Sequence, residues 1–421
     1  MSERLDVRLF DRKAGELARE DETQGPEGWR FAYAPDYLAG AAPVALSVSL
    51  PLRSEPFEGA VVRNWFCNLL PEGIVRDAVE TRLRIPPRDD FALLAAIGGE
   101  CAGAVSIGPR SRKESSANEE ADLETLLARQ GGEAGEGAWA ALGTPYRLSL
   151  AGAQDKIAVV RDADGRLRLP RGNELSTHIL KPDSRRIRGL RDLEALGLAL
   201  ARAVGLNAVA ASFIEIAGAK ALLIRRYDRA TTEHGTARLH QEDFCQALGY
   251  PPELKYENQG GPTLALCAEL IRSRLRLGPL AVEGFLDWVA FNAIIGNADA
   301  HAKNLALLCG EDGRRALAPF YDTVPTLAIA ESLVDRTPAL RIGAAERVDA
   351  IAAGDWRAFA EATGYGARFV IRRIATLSEA VAGVARRVVE TLIEEGADAD
   401  RTRRATGIIE DNARRMMLVA R

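Results

Sequence analysis

The feature that most constrains the fold is an apolar helical run at residues 280–295, which a polar segment follows without a linker. Apolar side chains occupy nearly every face of this predicted helix, so we expect it to be buried within a helical region. The polar segment that follows reads G-N-A-D-A-H-A-K-N, residues 296–304. A buried helix would hold these polar side chains in a fixed place, which makes the segment the first candidate for a site.

A hairpin pattern follows and predicts which oxygen ligands come together. Two strand-like runs flank the turn 310–313, and the second run leads to F-Y-D, which ends at Asp322. If Cys309 pairs with Arg315, antiparallel counting puts Asn304 opposite the residue two positions before Asp322. One amide oxygen and one carboxylate placed together would suit Mg²⁺ held against substrate phosphates.

Asp299 completes the pattern, because it lies in the loop before the first of these strands. The D-x-x-x-x-N spacing to Asn304, with Asp322 later, is the way in which protein kinases place a base and two metal ligands. In that arrangement Asp299 would accept the proton of an attacking hydroxyl. Each residue alone is more often an ordinary turn or cap residue, and only the three together favour a catalytic site.

Residues 147–226 have the pattern of a β-rich unit. Short strand-like runs alternate with turns such as 163–165, which predicts an antiparallel sheet of about five strands. One helix is inserted at 192–204 and is expected to end at Gly205. From residue 241 onward the pattern becomes helical.

The N-terminal part of the chain predicts a small α+β unit and a linker. Residues 4–50 look rich in strands, with an alternating run at 45–52, and helices are expected at 61–70 and 89–96. Small polar residues and glycines fill 110–143, which is typical of a linker or an exposed crossover. No cluster of residues in the N-terminal unit indicates chemistry.

The second half of a nucleotide site is expected in the sheet. The turn S-L-A-G-A-Q-D-K, residues 149–156, would present backbone N–H groups to phosphates, although a plain hairpin is the commoner meaning of such a turn. Lys181 has the position of a strand lysine that binds α- and β-phosphates, and Glu194 that of its helix partner. The alternative for both residues is a solvated surface charge.

Composition excludes several classes of protein. Lys and Arg total 55 and Asp and Glu 59, and the net charge of −4 argues against a chain that coats nucleic acid. The five cysteines form no C-x-x-C pair and the four histidines are dispersed, so neither disulfides nor a zinc site is expected. His301 is expected to pack, and the basic strip 184–191 either binds an acidic group or is solvated. The chain lacks the apolar run of a signal peptide or membrane span, which predicts a cytoplasmic protein.

Taken in order along the chain, the motifs resemble those of the HipA serine/threonine kinases, the toxins of bacterial HipBA toxin–antitoxin modules. The resemblance runs from about residue 37 to residue 322, and an ordered set is more specific than any one motif. The motifs are F-C-N-L-L-P-E-G (66–73), L-L-A-A-I-G-G-E-C-A-G-A-V (93–105), S-L-A-G-A-Q-D-K (149–156), T-H-I-L-K-P (177–182), R-R-Y-D-R (225–229), Q-E-D-F-C-Q-A-L-G (241–249), K-Y-E-x-x-G-G-P (255–262), G-N-A-D-A-H-A-K-N (296–304) and F-Y-D (320–322).

The resemblance implies an α+β fold of the two-lobed protein-kinase type, with an antiparallel-sheet N-lobe, a helical C-lobe and an extra small α+β N-terminal subdomain. The implied domains are the N-terminal subdomain at 1–110, the linker or crossover at 111–143, the kinase N-lobe at 144–228 and the helical C-lobe at 229–421.

The resemblance also implies residue roles. Asp299 would be the catalytic base, and Asn304 and Asp322 would bind Mg²⁺. Ser149 matches an autophosphorylated serine, whose phosphate would repel those of ATP and push the phosphate loop outward. The residues implied to bind ATP are Ala151, Gly152, Ala153, Gln154, Lys181, Arg225, Arg226, Tyr227, Asp228, His301 and Lys303, with Glu194 in support.

The implied function is an ATP- and Mg²⁺-dependent protein serine/threonine kinase that attacks translation, with aminoacyl-tRNA synthetases as targets. Its implied partner is a HipB-like helix-turn-helix antitoxin dimer, so DNA would be met only through the partner. Arg225 in place of an acidic hinge residue and Ala298 in place of Thr depart from the family pattern, but neither removes a catalytic group. Two alternatives stay open: a small-molecule phosphotransferase with the same base and metal ligands, and a catalytically silent corepressor.

Overall fold

A computed structural model describes residues 3–20, 25, 27–108, 123, 124, 127, 154–171, 174–233 and 235–419. The chain forms two compact units, which are described one at a time. Unit 1 comprises Met1–Arg185, Ile214–Pro252 and Leu307–Arg315, and unit 2 comprises Arg186–Phe213, Glu253–Ala306 and Ala316–Arg421.

Strands and helices are numbered along the described residues. The strands are β1 (Glu3–Leu9), β2 (Arg12–Arg19), β3 (Trp29–Tyr33), β4 (Phe57–Glu58), β5 (Val105–Ile107), β6 (Ile157–Arg161), β7 (Leu167–Arg168), β8 (His178–Pro182), β9 (Ala211–Ile216), β10 (Ala219–Arg225), β11 (Arg229–Thr232), β12 (Gly235–Arg238), β13 (His240–Asp243), β14 (Ala306–Cys309) and β15 (Arg315–Leu317). The α-helices are α1 (Pro35–Leu38), α2 (Ala60–Cys67), α3 (Gly73–Leu83), α4 (Asp90–Ile97), α5 (Leu190–Ala203), α6 (Phe244–Leu248), α7 (Leu264–Glu269), α8 (Pro279–Ile295), α9 (Ala353–Thr363), α10 (Ala367–Glu394) and α11 (Ala399–Val419).

The N-terminal part of unit 1 is a five-stranded sheet of order β4-β3-β2-β1-β5. Its β3 strand alternates buried and half-buried residues, so one face packs on a core that includes Trp65 and Phe66 of α2 and Leu94 of α4. Helices α2 and α4 lie where the sequence predicted them. All five cysteines of the chain are buried free thiols.

The alternating run at 45–52 does not form the expected strand. Side chains take the hydrogen bonds that a strand ladder would have made: the Leu46 N–H donates to the Tyr33 hydroxyl at 2.7 Å, and the Val48 N–H donates to the Glu242 carboxylate at 3.0 Å. Leu46 and Leu50 of the run are buried, but Val48 is half-buried and Leu52 is exposed. Alternation therefore predicted the burial of Leu46 and Leu50 but not the backbone pairing, because buried amides can take their hydrogen bonds from side chains and do not require a neighbouring strand.

The second sheet of unit 1 has five strands in the order β7-β6-β8-β10-β9. The β6–β7, β6–β8 and β8–β10 pairs are antiparallel, so the expected sheet of about five strands is confirmed. Strands β9 and β10 meet at Ala217 and Gly218, whose φ angles of 50° and 78° are both positive, as a two-residue type I′ turn requires.

Unit 2 is built around α8, which is buried from Phe285 to Ile295. The sequence predicted burial from residue 280, but Leu280 is exposed and residues 281–284 are half-buried. Arg373 of α10 forms a two-bond ion pair with Asp287 of α8, at 2.6 and 2.7 Å. The Asn412 amide of α11 donates to the carbonyls of Ala293 and Ile294, at 2.8 Å each. The two hydrogen bonds from Asn412 reach carbonyls in the last turn of α8 and so attach α11 to the point where α8 ends.

The inserted helix α5 ends just before Gly205, as expected, and belongs to unit 2 with α10 and α11. Arg401 of α11 donates to Asp192 of α5 at 3.1 Å. In the basic strip, Arg191 is buried, pairs with Asp192 at 3.2 Å and stacks over the Phe213 ring. No helix within the described ranges is long and apolar enough to cross a membrane.

Candidate active site

The 296–304 loop begins where α8 ends. Gly296 ends the helix in the left-handed conformation, with φ of 72°, and a Cβ there would overlap the Leu327 side chain. The Thr326 hydroxyl donates to the Gly296 carbonyl at 3.0 Å and accepts from the Ala298 N–H at 2.7 Å. Neutral hydrogen bonds therefore fix the first turn of the loop.

Asn297 connects the three residues that the sequence singled out. Its side-chain oxygen accepts from the Asp299 N–H at 3.0 Å, and its amide nitrogen donates to Asn292 at 2.8 Å and, at the long limit of 3.5 Å, to the Asp322 carbonyl. The Asn304 amide donates to the Asp299 carbonyl at 3.1 Å. The backbones of Asp299 and Asp322 and the side chain of Asn304 thus belong to one hydrogen-bonded group.

The predicted hairpin and its register are confirmed. The Gly310 N–H donates to the Arg314 carbonyl at 3.0 Å, and the Ala318 N–H donates to the Ala306 carbonyl at 2.9 Å. This is the register obtained by counting along the sequence, and the first strand begins shortly after Asn304.

Asp322 lies in a segment that α5 and its C-terminal loop hold in place. Its φ of 51° is in the left-handed region, which a non-glycine residue adopts only when its surroundings fix it. The Phe320 N–H donates to the Asn207 carbonyl at 2.7 Å. A Cβ on Gly197 of α5 would overlap the Thr323 carbonyl oxygen, so the helix approaches this segment more closely than any larger residue would allow.

The donor set of Asn304 and Asp322 fits Mg²⁺. Because the Asn304 amide nitrogen is bound to the Asp299 carbonyl, its oxygen is the atom that a cation would take. Within the described ranges, no group of three or more His, Cys, Asp and Glu side chains is placed to hold a metal ion. A site here would thus consist of one amide, one carboxylate, phosphate oxygens and water, which is how Mg²⁺ is commonly held.

The Asp299 carboxylate is exposed and accepts a hydrogen bond from the Tyr256 hydroxyl at 2.9 Å. His301 is buried, and its ring packs edge-on against Tyr256 with centroids 5.4 Å apart. Tyr256 lies 43 positions from Asp299 and was missed as a site residue. The only signal for it was the K-Y-E motif, which is part of the family resemblance but implied no role for Tyr256.

The expected nucleotide-binding residues lie in both units. In unit 1, Lys181 is buried on β8 opposite Leu222. In unit 2, Glu194 is buried on α5, and the buried Lys303 accepts at its carbonyl from Tyr321 at 2.6 Å. The pairing of Lys181 with Glu194 stays a prediction. Ser149 and the phosphate-loop residues Ala151, Gly152 and Ala153 lie outside the described residues, which resume at Gln154.

The expected hinge residues belong to a cluster that we call the buried ion cluster, formed by Glu100, Arg226, Asp228 and Arg229. Arg226 donates to both oxygens of Asp228, at 2.9 and 2.7 Å. Glu100 accepts from Arg229 at 2.9 Å and from Arg226 at 3.3 Å. The N–H of Gly103, a neighbour of Glu100 in sequence, donates to Asp228 at 2.7 Å.

Burial by itself would raise the pKa of Asp228, but the Arg226 and Arg229 guanidinium groups hold that pKa far below its usual range. The pKa of Glu100 is lowered against burial by the same two arginines. Because the side chains of Arg226 and Asp228 are used in this cluster, a hinge contact with adenine would come from their backbone. Arg225 is exposed, and the Tyr227 hydroxyl bonds to the Gln241 side chain.

Comparison with known proteins gives one family. The HipA N-terminal domain model matches residues 5–108, and the HipA-like C-terminal domain model matches 148–392. The Sinorhizobium fredii protein named "Putative kinase Y4mE" is 37% identical over 380 residues, 86% of each chain. The Shewanella oneidensis protein named "Serine/threonine-protein kinase toxin HipA" is 28% identical over 341 residues, 76% of this chain and 74% of that protein.

A solved structure shows the same fold. A chain in the complex of Shewanella oneidensis HipA, HipB and operator DNA superposes with a TM-score of 0.82, covering 99% of this chain and 98% of that chain, at 22% identity. The expected fold class, a kinase-like α+β fold with an added N-terminal subdomain, is confirmed. With both family models matched in order and a relative above 30% identity along most of its length, the chain belongs to the HipA family.

Proposed function

We propose that this chain is an ATP- and Mg²⁺-dependent protein serine/threonine kinase and the toxin of a toxin–antitoxin module. The observation that carries the proposal is the hydrogen-bonded group around Asn297, which joins Asp299, Asn304 and Asp322. A base and two oxygen ligands arranged in this way are the parts that phosphoryl transfer from ATP requires. The names of the relatives, two of which are called kinases, support the same activity.

In the proposed reaction, a serine or threonine hydroxyl of the acceptor attacks the γ-phosphorus of ATP. The new O–P bond forms as the bond to the β–γ bridging oxygen breaks, ADP leaves with that electron pair, and the hydroxyl proton passes to the Asp299 carboxylate. Asn304 and Asp322 would hold Mg²⁺, which when bound neutralises charge on the transferring phosphate. Lys181 would bind the α- and β-phosphates, and Glu194 would orient Lys181.

Further parts of the proposal are carried over from the family resemblance. Autophosphorylation of Ser149 would switch the enzyme off, because a phosphate beside the phosphate loop repels those of ATP. A HipB-like helix-turn-helix dimer would be the antitoxin, which is supported by the HipA, HipB and operator DNA complex of the structural relative. The acceptor would be a protein of the translation machinery, such as an aminoacyl-tRNA synthetase.

The test is phosphate transfer from γ-labelled ATP to the chain itself and to the proteins of a cell extract, with and without Mg²⁺. We expect the wild type to label protein and Asp299→Asn to lose at least about 10³-fold in rate, because no group then takes the hydroxyl proton. Asp400→Asn is the matched control, since Asp400 is an exposed carboxylate in the first turn of α11. Ser149→Ala should lose self-labelling while it still labels other proteins.

Two results would contradict the proposal. Equal labelling by Asp299→Asn and the wild type would remove Asp299 as the base. Labelling of a sugar or other small molecule, with no labelling of protein, would instead favour a small-molecule phosphotransferase with the same base and ligands.

A further inference from the structure

The backbone of Asp299 is held at several points, but its carboxylate is held at one. The Asp299 N–H donates to Asn297, and its carbonyl accepts from the His301 N–H at 2.9 Å and from the Asn304 amide at 3.1 Å. Among the described residues, the Asp299 carboxylate accepts a single hydrogen bond, from the Tyr256 hydroxyl to Oδ1. An exposed aspartate with no such bond would sample several rotamers.

Two neighbouring side chains contact the Tyr256 ring. The His301 ring meets it edge-on with centroids 5.4 Å apart, which is a favourable aromatic geometry. The Lys255 ammonium nitrogen lies 5.5 Å from the ring centroid, within reach of a cation–π contact. The phenol can therefore place its hydroxyl reproducibly.

The segment that carries Tyr256 is also tied to the 296–304 loop. The Glu257 N–H donates to the Ala339 carbonyl at 2.9 Å, and the Ala339 N–H donates to the Ala298 carbonyl at 2.8 Å. Ala339 is thus hydrogen-bonded both to Glu257, next to Tyr256, and to Ala298, next to Asp299. The Glu257 side chain in turn accepts from the Arg341 N–H at 2.7 Å.

We propose that Tyr256 is a positioning residue for phosphoryl transfer, and this inference rests on the proposed kinase function. Its hydroxyl fixes Oδ1 of Asp299, which selects one rotamer and leaves Oδ2 as the oxygen that takes the acceptor's proton. The contribution is geometric, because a reacting group displaced by about 1 Å can cost about 10²-fold in rate. Tyr256 itself neither takes the proton nor binds the phosphates.

The test compares Tyr256→Phe with the wild type in steady-state kinetics of protein labelling from ATP. Phenylalanine keeps the ring contacts with His301 and Lys255 and removes only the hydroxyl. We expect kcat to fall by about 10- to 100-fold and the KM for ATP to change by less than about twofold, the result of removing an alignment effective only in the transition state. A residue with a merely structural role would not separate kcat from KM in this way.

Tyr365→Phe is the matched control. Its hydroxyl donates to the Val282 carbonyl in the same unit, so the control removes a phenolic hydrogen bond away from the 296–304 loop. We expect this control to keep the wild-type kcat, and Tyr256→Phe to keep a melting temperature within about 2 °C of the wild type, since the lost bond is exposed.

The outcomes separate this inference from the proposed function. A wild type that transfers no phosphate overturns both. An active wild type with Tyr256→Phe equal to it in kcat overturns only the positioning role. A fall in kcat together with a matching rise in the KM for ATP, or one that Tyr365→Phe shares, also overturns it, because either result reports a general disturbance of the fold.

Discussion

The buried ion cluster of unit 1 and the 296–304 loop of unit 2 are held in place by different interactions. Ion pairs hold the cluster, and neutral hydrogen bonds hold the loop. In the cluster, Glu100 and Asp228 are buried and each is bonded to arginine, so charges hold one another. In the loop, a threonine hydroxyl and asparagine amides hold the backbone by neutral hydrogen bonds. Asp299 is left without an ion pair among the described residues.

The difference follows from what each segment has to do. Two carboxylates beside arginines are locked in the ionised state, which suits an anchor that must not change. A base needs a carboxylate that can take a proton, and a neighbouring arginine would oppose this by stabilising the ionised form. We therefore expect substitutions in the cluster to affect mainly stability, and substitutions around the loop to affect mainly rate.

Glu100→Gln should have the largest effect on stability. The substitution keeps the shape of the side chain but leaves Arg226 and Arg229 with one carboxylate between them. Removing one partner of a buried pair costs about 3–5 kcal/mol. Urea unfolding of the two proteins measures this loss.

Glu16→Gln is the control for that experiment, because Glu16 pairs with Arg4 at 2.6 Å at a more exposed position of the same unit. An exposed pair contributes less than about 1 kcal/mol. If Glu100→Gln were no more destabilising than Glu16→Gln, the cluster would not be the anchor that we describe.

Gly197→Ala should have the next largest effect. The added Cβ would overlap the Thr323 carbonyl next to Asp322, so α5 or the segment must move, at a cost of about 1–3 kcal/mol. We expect phosphate transfer to be lost as well, because Asp322 would shift. Gly383→Ala in α10 has open space around the new methyl group and should stabilise the protein by up to about 1 kcal/mol. Equal effects of the two substitutions in thermal unfolding would contradict the close approach.

Glu242→Gln tests a buried carboxylate that, unlike Glu100, forms no ion pair with an arginine among the described residues. Burial raises the pKa of Glu242 to about 7, and hydrogen bonds from Ser47 and Val48 only partly oppose this. The stability that the raised pKa contributes is present below the unfolded value near 4.5 and is lost as the pH rises through 7. From pH 5 to pH 8 the wild type should therefore lose about 2 kcal/mol relative to Glu242→Gln.

His240, whose pKa is lowered to about 4 by burial, titrates with the opposite sign but is present in both proteins. Its contribution therefore largely cancels in the difference between their unfolding free energies. A difference that stays constant from pH 5 to pH 8 would show that Glu242 is ionised throughout in the folded state.

These residues also show where reasoning from the sequence succeeds. The register of the hairpin after Asn304 and the end of α5 before Gly205 were predictable, because a few adjacent residues determine a turn or a cap. The positions of Asp299 and Asn304 after the end of α8 follow from the same local signals. The position of Asp322 depends in addition on contacts with Asn207 and Gly197, which are far away along the chain.

What the sequence did not predict depends on pairs that are far apart along the chain. Glu100 meets Arg226 across 126 positions, and Tyr256 meets Asp299 across 43. The run 45–52 looked like a strand, since nothing local shows that Glu242 takes its amide. The sequence shows which groups can form ion pairs or hydrogen bonds. Which groups pair depends on contacts between segments that are far apart along the chain.

Thr326→Val should cost much less stability than Glu100→Gln and is the sharpest test of the comparison. Valine has nearly the shape of threonine but removes the hydroxyl between the Gly296 carbonyl and the Ala298 N–H. The Gly296 carbonyl keeps its bond from the Leu327 N–H at 3.0 Å. The Ala298 N–H loses its partner, at a cost of about 1 kcal/mol. If neutral bonds set the geometry of the loop, this small loss should come with a fall in kcat of about 10-fold or more, since Ala298 precedes Asp299. Unfolding and labelling assays on the same samples measure both quantities. If kcat fell only in proportion to the free energy of unfolding, the loop would depend on the general stability of unit 2. The contrast between the loop and the buried ion cluster would then be wrong.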